Sequence, residues 1–371
     1  MHSLLRSVPS PPLRTGFWAG FKLRCFGTGW LVAVTAWLGC TLPAVVLAMN
    51  SVPVPGTPSP CSVTGDAYPA SAAHAPLHTV LPGIAVRHPH WPSLNTNSRP
   101  HWVSSVVLWQ GHQAVVLDPG ATHCSGLELQ RAMHRLAGQP LQVSLLINSH
   151  AHAEQVLANH AWQAPVAALA GTQMAMQQRC ADCLAALTQD LGEPALRGTR
   201  IKLPEQVLEH GQLVQAGGRH WQVLEMPMAH TQSDLLLWSA DDAVLLAGGL
   251  IDGHRLVLAQ GRVVGWLQAL AHMEALQPRW LIGQHLVAGP GQVQAAIGQQ
   301  REALCDLVRR SWQGLESWQT EAEVLAQAPT QGSAADRLLA RFNLGRAWRE
   351  MEALWLGQEA MPQACAASGA R

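Results

Sequence analysis

From Trp102 onward the chain alternates short apolar runs with stretches of helical period. VSSVVLW (103–109) and AVVLD (114–118) read as two strands paired around the turn Gln110-Gly111-His112-Gln113. LELQRAMHRLAG (127–138) has apolar residues at 127, 129, 133 and 136 and stops at Gly138, which is the spacing and the stop of a helix. VSLLINS (143–149) is again a strand, and it delivers its last residue into the segment SHAHAEQ. A helix-like EQVLANHAW, a strand VAALA (166–170) and a long helix through Cys180 and Cys183 follow. The next stretch is β-rich: QLVQAG (212–217), HWQVLEM (220–226), DLLLWSA (234–240) and AVLLAGG (243–249). A helix WLQALAHMEAL (266–276), a strand RWLIG (279–283) and a helix from Val293 to Arg310 close the pattern.

Two successive β-then-α halves imply an α/β fold with two facing sheets and helices outside, a four-layer αββα sandwich. The tail DRLLARFNLGRAWREMEALWL (336–356) has helical spacing, and its expected role is packing on that body. The expected divisions are a targeting segment (1–49), a Pro-rich linker (50–100) that leads into the domain with short strands near its end, the sandwich (101–311) and a helical tail (312–371).

Composition narrows the partners. Of 371 residues, 24 are basic and 24 acidic, so nothing electrostatic points to nucleic acid; a small-molecule substrate is expected instead. Arg6, Arg14, Lys22 and Arg24 precede an uncharged stretch, Gly29 to Met49, that ends near the small-residue site Val46-Leu47-Ala48. This is the order of a secretory signal, so the folded part is expected outside the cytoplasm. An uncleaved membrane anchor is the alternative, because about 20 apolar residues span a bilayer. Gly39, Pro43 and two threonines favour cleavage. In an oxidising compartment Cys180 and Cys183, in RCADCL, are the natural candidates for a local disulfide. No thioredoxin-like strand precedes them, which argues against a redox pair, and no second such pair exists to build a zinc ribbon.

Histidine is the anomaly, with 18 copies, several beside turn signals. A strand of aliphatics ending in His-x-His presents His150 and His152 at one rim, since side chains two apart on an extended segment face the same way. A catalytic zinc takes three protein ligands and keeps a fourth position open. His230, in EMPMAHTQSDLLLW, and His285, in WLIGQHLVAG, also follow apolar strands and are the candidates to complete a site. His112, His123, His134, His160, His210, His220 and His272 are expected to be ordinary hydrogen-bonded histidines.

The segments LDPG (117–120), SHAHAEQ (149–155), AHTQSDL (229–235), LLAGG (245–249) and IGQHL (282–286) resemble the successive motifs of the metallo-β-lactamase superfamily. AHTQSDLLLW, GWLQAL (265–270) and RCADCLAALTQDLG (179–192) are similar to the quinoprotein relay system zinc metallohydrolases, exported members associated with quinoprotein alcohol oxidation. The resemblance implies that His150, His152 and His230 hold a first zinc. It implies Asp, His and a bridging Asp for a second zinc, where this chain has Glu154, Gln155 and Gly249 and keeps only His285. Zinc prefers nitrogen, sulfur or charged oxygen ligands, so one zinc is expected and the second site is expected to be weak or absent. Asp252 and His254 are the residues that could rebuild it.

The expected activity is metal-dependent hydrolysis, with a zinc-bound hydroxide attacking an ester, lactone, thioester or amide carbonyl. Glu154 is the candidate general base and acid. Asp118, in LDPG, and Asp234, in HTQSDL, are expected to brace the metal loops from behind the ligands. The alternatives are a degenerate member serving as a non-catalytic binding or accessory protein and, less favoured, a β-lactamase. The expected setting is the periplasm, with quinoprotein oxidation components as partners.

Overall fold

A computed structural model describes residues 61, 77–87, 103–252 and 256–366. The expected targeting segment and most of the expected linker lie outside these residues. Among the described residues, no helix is long and apolar enough to cross a membrane.

The first sheet has seven strands in sequence order: β1 (Leu77–Leu81), β2 (Ile84–Arg87), β3 (Ser105–Gln110), β4 (Gln113–Leu117), β5 (Gln142–Ile147), β6 (Val166–Leu169) and β7 (Gln206–Leu208). β1 to β4 pair antiparallel and β4 to β7 parallel. The second sheet runs β13-β12-β11-β10-β9-β8, built from β8 (Leu213–Ala216), β9 (Arg219–Pro227), β10 (Ser233–Ser239), β11 (Val244–Gly248), β12 (Trp280–Gly283) and β13 (Val287–Ala288).

The side-chain period of two builds the layers. In β3, Val106 and Leu108 face inward while Val107 faces out; in β10, Leu235 and Leu237 face inward while Leu236 faces out. The inward set of both sheets forms one core, which includes fully buried Trp221 of β9. Outside the first sheet packs α1 (His123–Ala137), through Leu129, Ala132 and Met133. Outside the second lie α4 (Val263–Ala275), α5 (Val293–Glu316), short α6 (Glu321–Ala326) and α7 (Ala334–Leu356). Short α2 (Ala153–Val156) and long α3 (Ala170–Leu191) close one end, where Val156 and Leu157 meet Ala175, Met176 and Cys180. The structure therefore has two facing sheets with helices on both outer faces.

Three expectations change. The short strands expected near the end of the linker form the hairpin β1–β2, but its pairing with β3 makes it part of the first sheet instead of the linker. Helix α1 starts at His123, four residues before the apolar period, because Thr122 forms a capping box with Ser125. Cys180 and Cys183 are not bridged: they lie on continuous helix α3, where burial raises both thiol pKa values, that of Cys180 to about 11. The disulfides are Cys61–Cys124, which ties the linker segment to α1, and Cys305–Cys365, which ties the chain after α7 to α5.

The tail does more than pack. Leu344, Ala347, Trp348 and Met351 of α7 are buried against the second sheet's helices. Asn343 accepts from Leu258 N (3.0 Å) and donates to Leu256 O (2.7 Å). The Glu350 carboxylate accepts from Val263 N (2.8 Å) and Val264 N (3.0 Å), capping α4 from another helix. Arg262 N in turn donates to Ala229 O (3.0 Å), so the clamped segment lies directly against His230's turn.

Candidate metal centre

His150 and His152 follow β5 and precede α2; His230 sits in the turn between β9 and β10. The two sheets thus bring residues eighty positions apart to one rim of the sandwich. Ring centroids lie 4.7 Å apart for His150–His152, 4.7 Å for His150–His230 and 4.8 Å for His152–His230. The planes are close to mutually perpendicular, at 82°, 81° and 89°. One ring nitrogen from each lies within 4.8 Å of the others, and these three residues are the group among the described residues with the proximity a metal ion needs.

The donor set fits a metal on independent grounds. His150 is fully buried, yet its Nε2 has no hydrogen-bond partner among the described residues. His230 Nδ1 is also buried without an aligned partner; Asp234 Oδ1 stands 3.4 Å away, within ion-pair reach but outside hydrogen-bond geometry. Orphaned buried nitrogens are costly unless a ligand satisfies them. Burial, reinforced by the neighbouring imidazoles, holds His150 well below its usual pKa and His152 at about 4, despite the opposing pull of Glu154 and Asp234 on His152. Both rings are therefore neutral near pH 7, the form that ligates metal.

The supports are built from residues adjacent to the ligands. Ser149 N donates to Asp118 Oδ1 (2.8 Å), and Ser149 Oγ donates to Asp118 Oδ2 (2.6 Å). The same Oγ lies 2.8 Å from His150 Nδ1. A hydroxyl has one proton; with it given to Asp118, Oγ accepts from His150 Nδ1–H and leaves Nε2 as a bare lone pair. Asp118 reaches this position from a left-handed backbone, φ 53°, which aspartate tolerates better than most residues. Burial raises its pKa to about 7 against the lowering effect of Ser149. In the other turn, Thr231 N and Thr231 Oγ1 donate to Asp234 (2.7 and 3.0 Å), closing the loop that carries His230. Trp266 of α4 covers His230 at 5.1 Å between centroids. Side chains at two positions would collide with this arrangement: a Cβ at Gly249 would strike the His230 ring, and one at Gly261 the carbonyl of Ala229.

The remaining candidates fall elsewhere. Glu154, partly exposed, opens α2 close enough to His152 for its charge to act on that ring. His285 is buried outside the three-histidine group, because its Nδ1 turns to Asp252 Oδ1 at 3.1 Å. Gln155 Nε2 donates to Gln284 Oε1 (3.2 Å). His254 lies outside the described residues. Ser149 and Thr231 were missed from sequence. Each adjoins one of the three histidines, which was the available signal.

The sequence model of the metallo-beta-lactamase superfamily matches residues 99–285, half of the chain. The chain belongs to this superfamily. No curated protein matches it. Among solved structures, a beta-lactamase domain protein from Burkholderia ambifaria is 18% identical, with TM-score 0.55 over 76% of this chain and 88% of that one. A metallo-beta-lactamase family protein from Thermus thermophilus is 17% identical, with TM-score 0.54 over 76% and 98%. The inverting sec-alkylsulfatase Pisa1 from Pseudomonas sp. is 13% identical, with TM-score 0.57 over 74% of this chain and half of that one. At these identities the likeness concerns the fold.

Proposed function

We propose that this chain is an exported hydrolase that works with a single zinc ion held by His150, His152 and His230. The observation that carries this reading is the convergence of three perpendicular imidazoles with orphaned buried nitrogens. Zinc bound there supplies Lewis-acid polarisation of an acyl oxygen and acidifies water to near neutrality. The chain's residues do the rest. Asp118 and Ser149 hold the His150 ring, and Thr231 and Asp234 hold the turn of His230. Glu154, beside His152, takes the proton of the attacking water and returns it to the leaving group. Esters, lactones, thioesters and amides are the candidate bonds.

Two disulfides support an oxidising compartment. The periplasm is the proposed location, and the likeness of AHTQSDLLLW and RCADCLAALTQDLG to quinoprotein relay metallohydrolases suggests a link to quinoprotein oxidation. A non-catalytic accessory role is the second reading, favoured by Gln155, Gly249 and His285 lying outside any three-ligand group among the described residues.

Elemental analysis of purified protein separates the two. The expected content is about one zinc per chain, abolished in the His150→Ala/His230→Ala double variant. Zinc-free wild type moves the assignment to the accessory role. Hydrolysis across an ester and lactam panel, lost in Glu154→Gln with zinc retained, supports the enzyme.

A further inference from the structure

Beneath the rim lies a small cavity walled by both sheets. Its polar wall is Ser104, just before β3, Asp118 after β4, Gln155 of α2 and Gln284 after β12; aliphatic side chains such as Leu117 and Ile282 close the rest. The cavity measures about 10 Å³, roughly the space that one water molecule requires. All four polar residues are buried, Ser104 at 6% exposure and Gln155 at 1%. Two of them are incomplete: Ser104 Oγ and Gln155 Oε1 have no hydrogen-bond partner among the described residues. The wall around them is tied together. Ser104 N donates to Gln284 O (2.8 Å), and Gln155 Nε2 donates to Gln284 Oε1 (3.2 Å). Asp118 accepts one hydrogen bond on each oxygen, from Ser149 N and Ser149 Oγ, and each carboxylate oxygen can accept a second.

Two unsatisfied groups around one cavity are unfavourable unless a ligand completes both. Gln155 Oε1 only accepts, and so does a carboxylate at Asp118, whereas Ser104 Oγ brings a proton of its own. One water molecule matches all three: it accepts the Ser104 proton and gives its own two to Gln155 and Asp118. A divalent cation does not. Calcium calls for roughly six to eight oxygens and magnesium for an octahedron, more than these side chains supply, and neither accepts a proton. We propose that this cavity holds one resident water molecule, hydrogen-bonded to Ser104 Oγ, Gln155 Oε1 and the Asp118 carboxylate. The chain from His150 through Ser149 and Asp118 then runs on through this water to Gln155 and Gln284. The proposal stands whether or not the three histidines hold zinc.

The test is a crystal structure of the wild-type chain at a resolution that shows ordered waters. The expected density is a single peak about 2.5–3.0 Å from each of the three groups. No peak in the cavity, or a peak that misses any of the three, overturns the proposal. So does a peak ringed by oxygens at about 2.0–2.6 Å, because that is a metal ion. Magnetic relaxation dispersion of the water signal checks the same site in solution. Ser104→Val replaces the hydroxyl with methyl groups and is expected to lower the number of long-lived internal waters by one. Its thermal midpoint is expected to fall by about 2–4 °C, since Gln155 Oε1 loses its donor. Ser104→Thr keeps the hydroxyl and should keep both the water and the midpoint. An unchanged water number in Ser104→Val, or an equal loss in Ser104→Thr, overturns the proposal. If Ser104→Val does not fold, the wild-type density decides alone.

Discussion

The rim of the sandwich has two halves that the same fold treats in opposite ways. On one side His150, His152 and His230 converge, and buried nitrogens of His150 and His230 find no partner among the described residues. On the other, polar groups turn to one another: Gln155 to Gln284, and His285 to Asp252. Gly249 borders the first half, where any side chain would strike the His230 and His150 rings. The difference lies in where hydrogen-bonding capacity goes. A site kept for a ligand leaves lone pairs unsatisfied at a cost, whereas a site given up to structure spends them internally. Gln155 Oε1, buried and unpartnered, is the one group on the second side that breaks this pattern.

The largest effect that could break the comparison is loss of metal. His152→Ala is expected to abolish stoichiometric zinc, while His285→Ala keeps about one zinc per chain. Equal loss in both variants would mean that His285 belongs with the other three. Next in size is the support of His150. Asp118→Asn removes the acceptor that orients Ser149 Oγ and is expected to weaken zinc binding by about 10–100-fold, read by competition with a chromophoric chelator. An unchanged zinc affinity would reduce the Asp118–Ser149–His150 chain to a structural detail.

Much of this contrast was legible in the chain, for definite reasons. His150, His152 and His230 each end an apolar strand segment, and periodicity locates strand ends well enough to place them at one rim. The apolar runs VSSVVLW and DLLLWSA likewise placed β3 and β10, but buried nearly throughout they do not say which side faces the core. The disulfides were not legible. Six cysteines beyond the targeting segment allow many pairings, and RCADCL drew attention by proximity while Cys61, Cys124, Cys305 and Cys365 paired at separations of 63 and 60 residues. The Glu350 cap was hidden for the same reason: it joins α7 to the start of α4 across some 86 residues, and no local rule spans that distance. The start of α1 shows a smaller lapse, since the Thr122–Ser125 box was present but apolar period alone set the boundary.

A smaller effect sharpens the electrostatic side of the comparison in the metal-free protein. Burial holds His152 at about 4 when folded against 6.5 for a free imidazole, and it holds His150 well below its usual value too. As pH drops through this window the unfolded chain takes up protons on these rings that the folded one refuses, so stability falls. Asp118 works the other way: held near 7 in the fold against a usual 3.8, it keeps a proton the unfolded chain has released. The two imidazoles outweigh the one carboxyl, so the net is a loss of stability on acidification through this window. Urea midpoints of chelator-treated protein at pH 7.5 and 5 measure it. Asp118→Asn removes the opposing group and should steepen the fall; an equal or shallower slope would show that Asp118 is ionised in the fold.

The smallest effect tests the closed half directly. Gln155→Ala removes one buried amide bond to Gln284 at 3.2 Å and leaves that acceptor unmatched, while also deleting the unpartnered Oε1. These opposing changes leave an expected loss of about 1 kcal/mol in folding free energy. Zinc content should not change, because Gln155 lies outside the three-histidine group. Gln284→Ala should cost a similar amount, and the double variant less than the sum, because both single changes break the same bond. Strict additivity would show that the two amides do not act as a pair. A drop in zinc on substituting Gln155 would be the more serious outcome, since it would place an amide oxygen in the metal's coordination and join the two halves of the rim into one site.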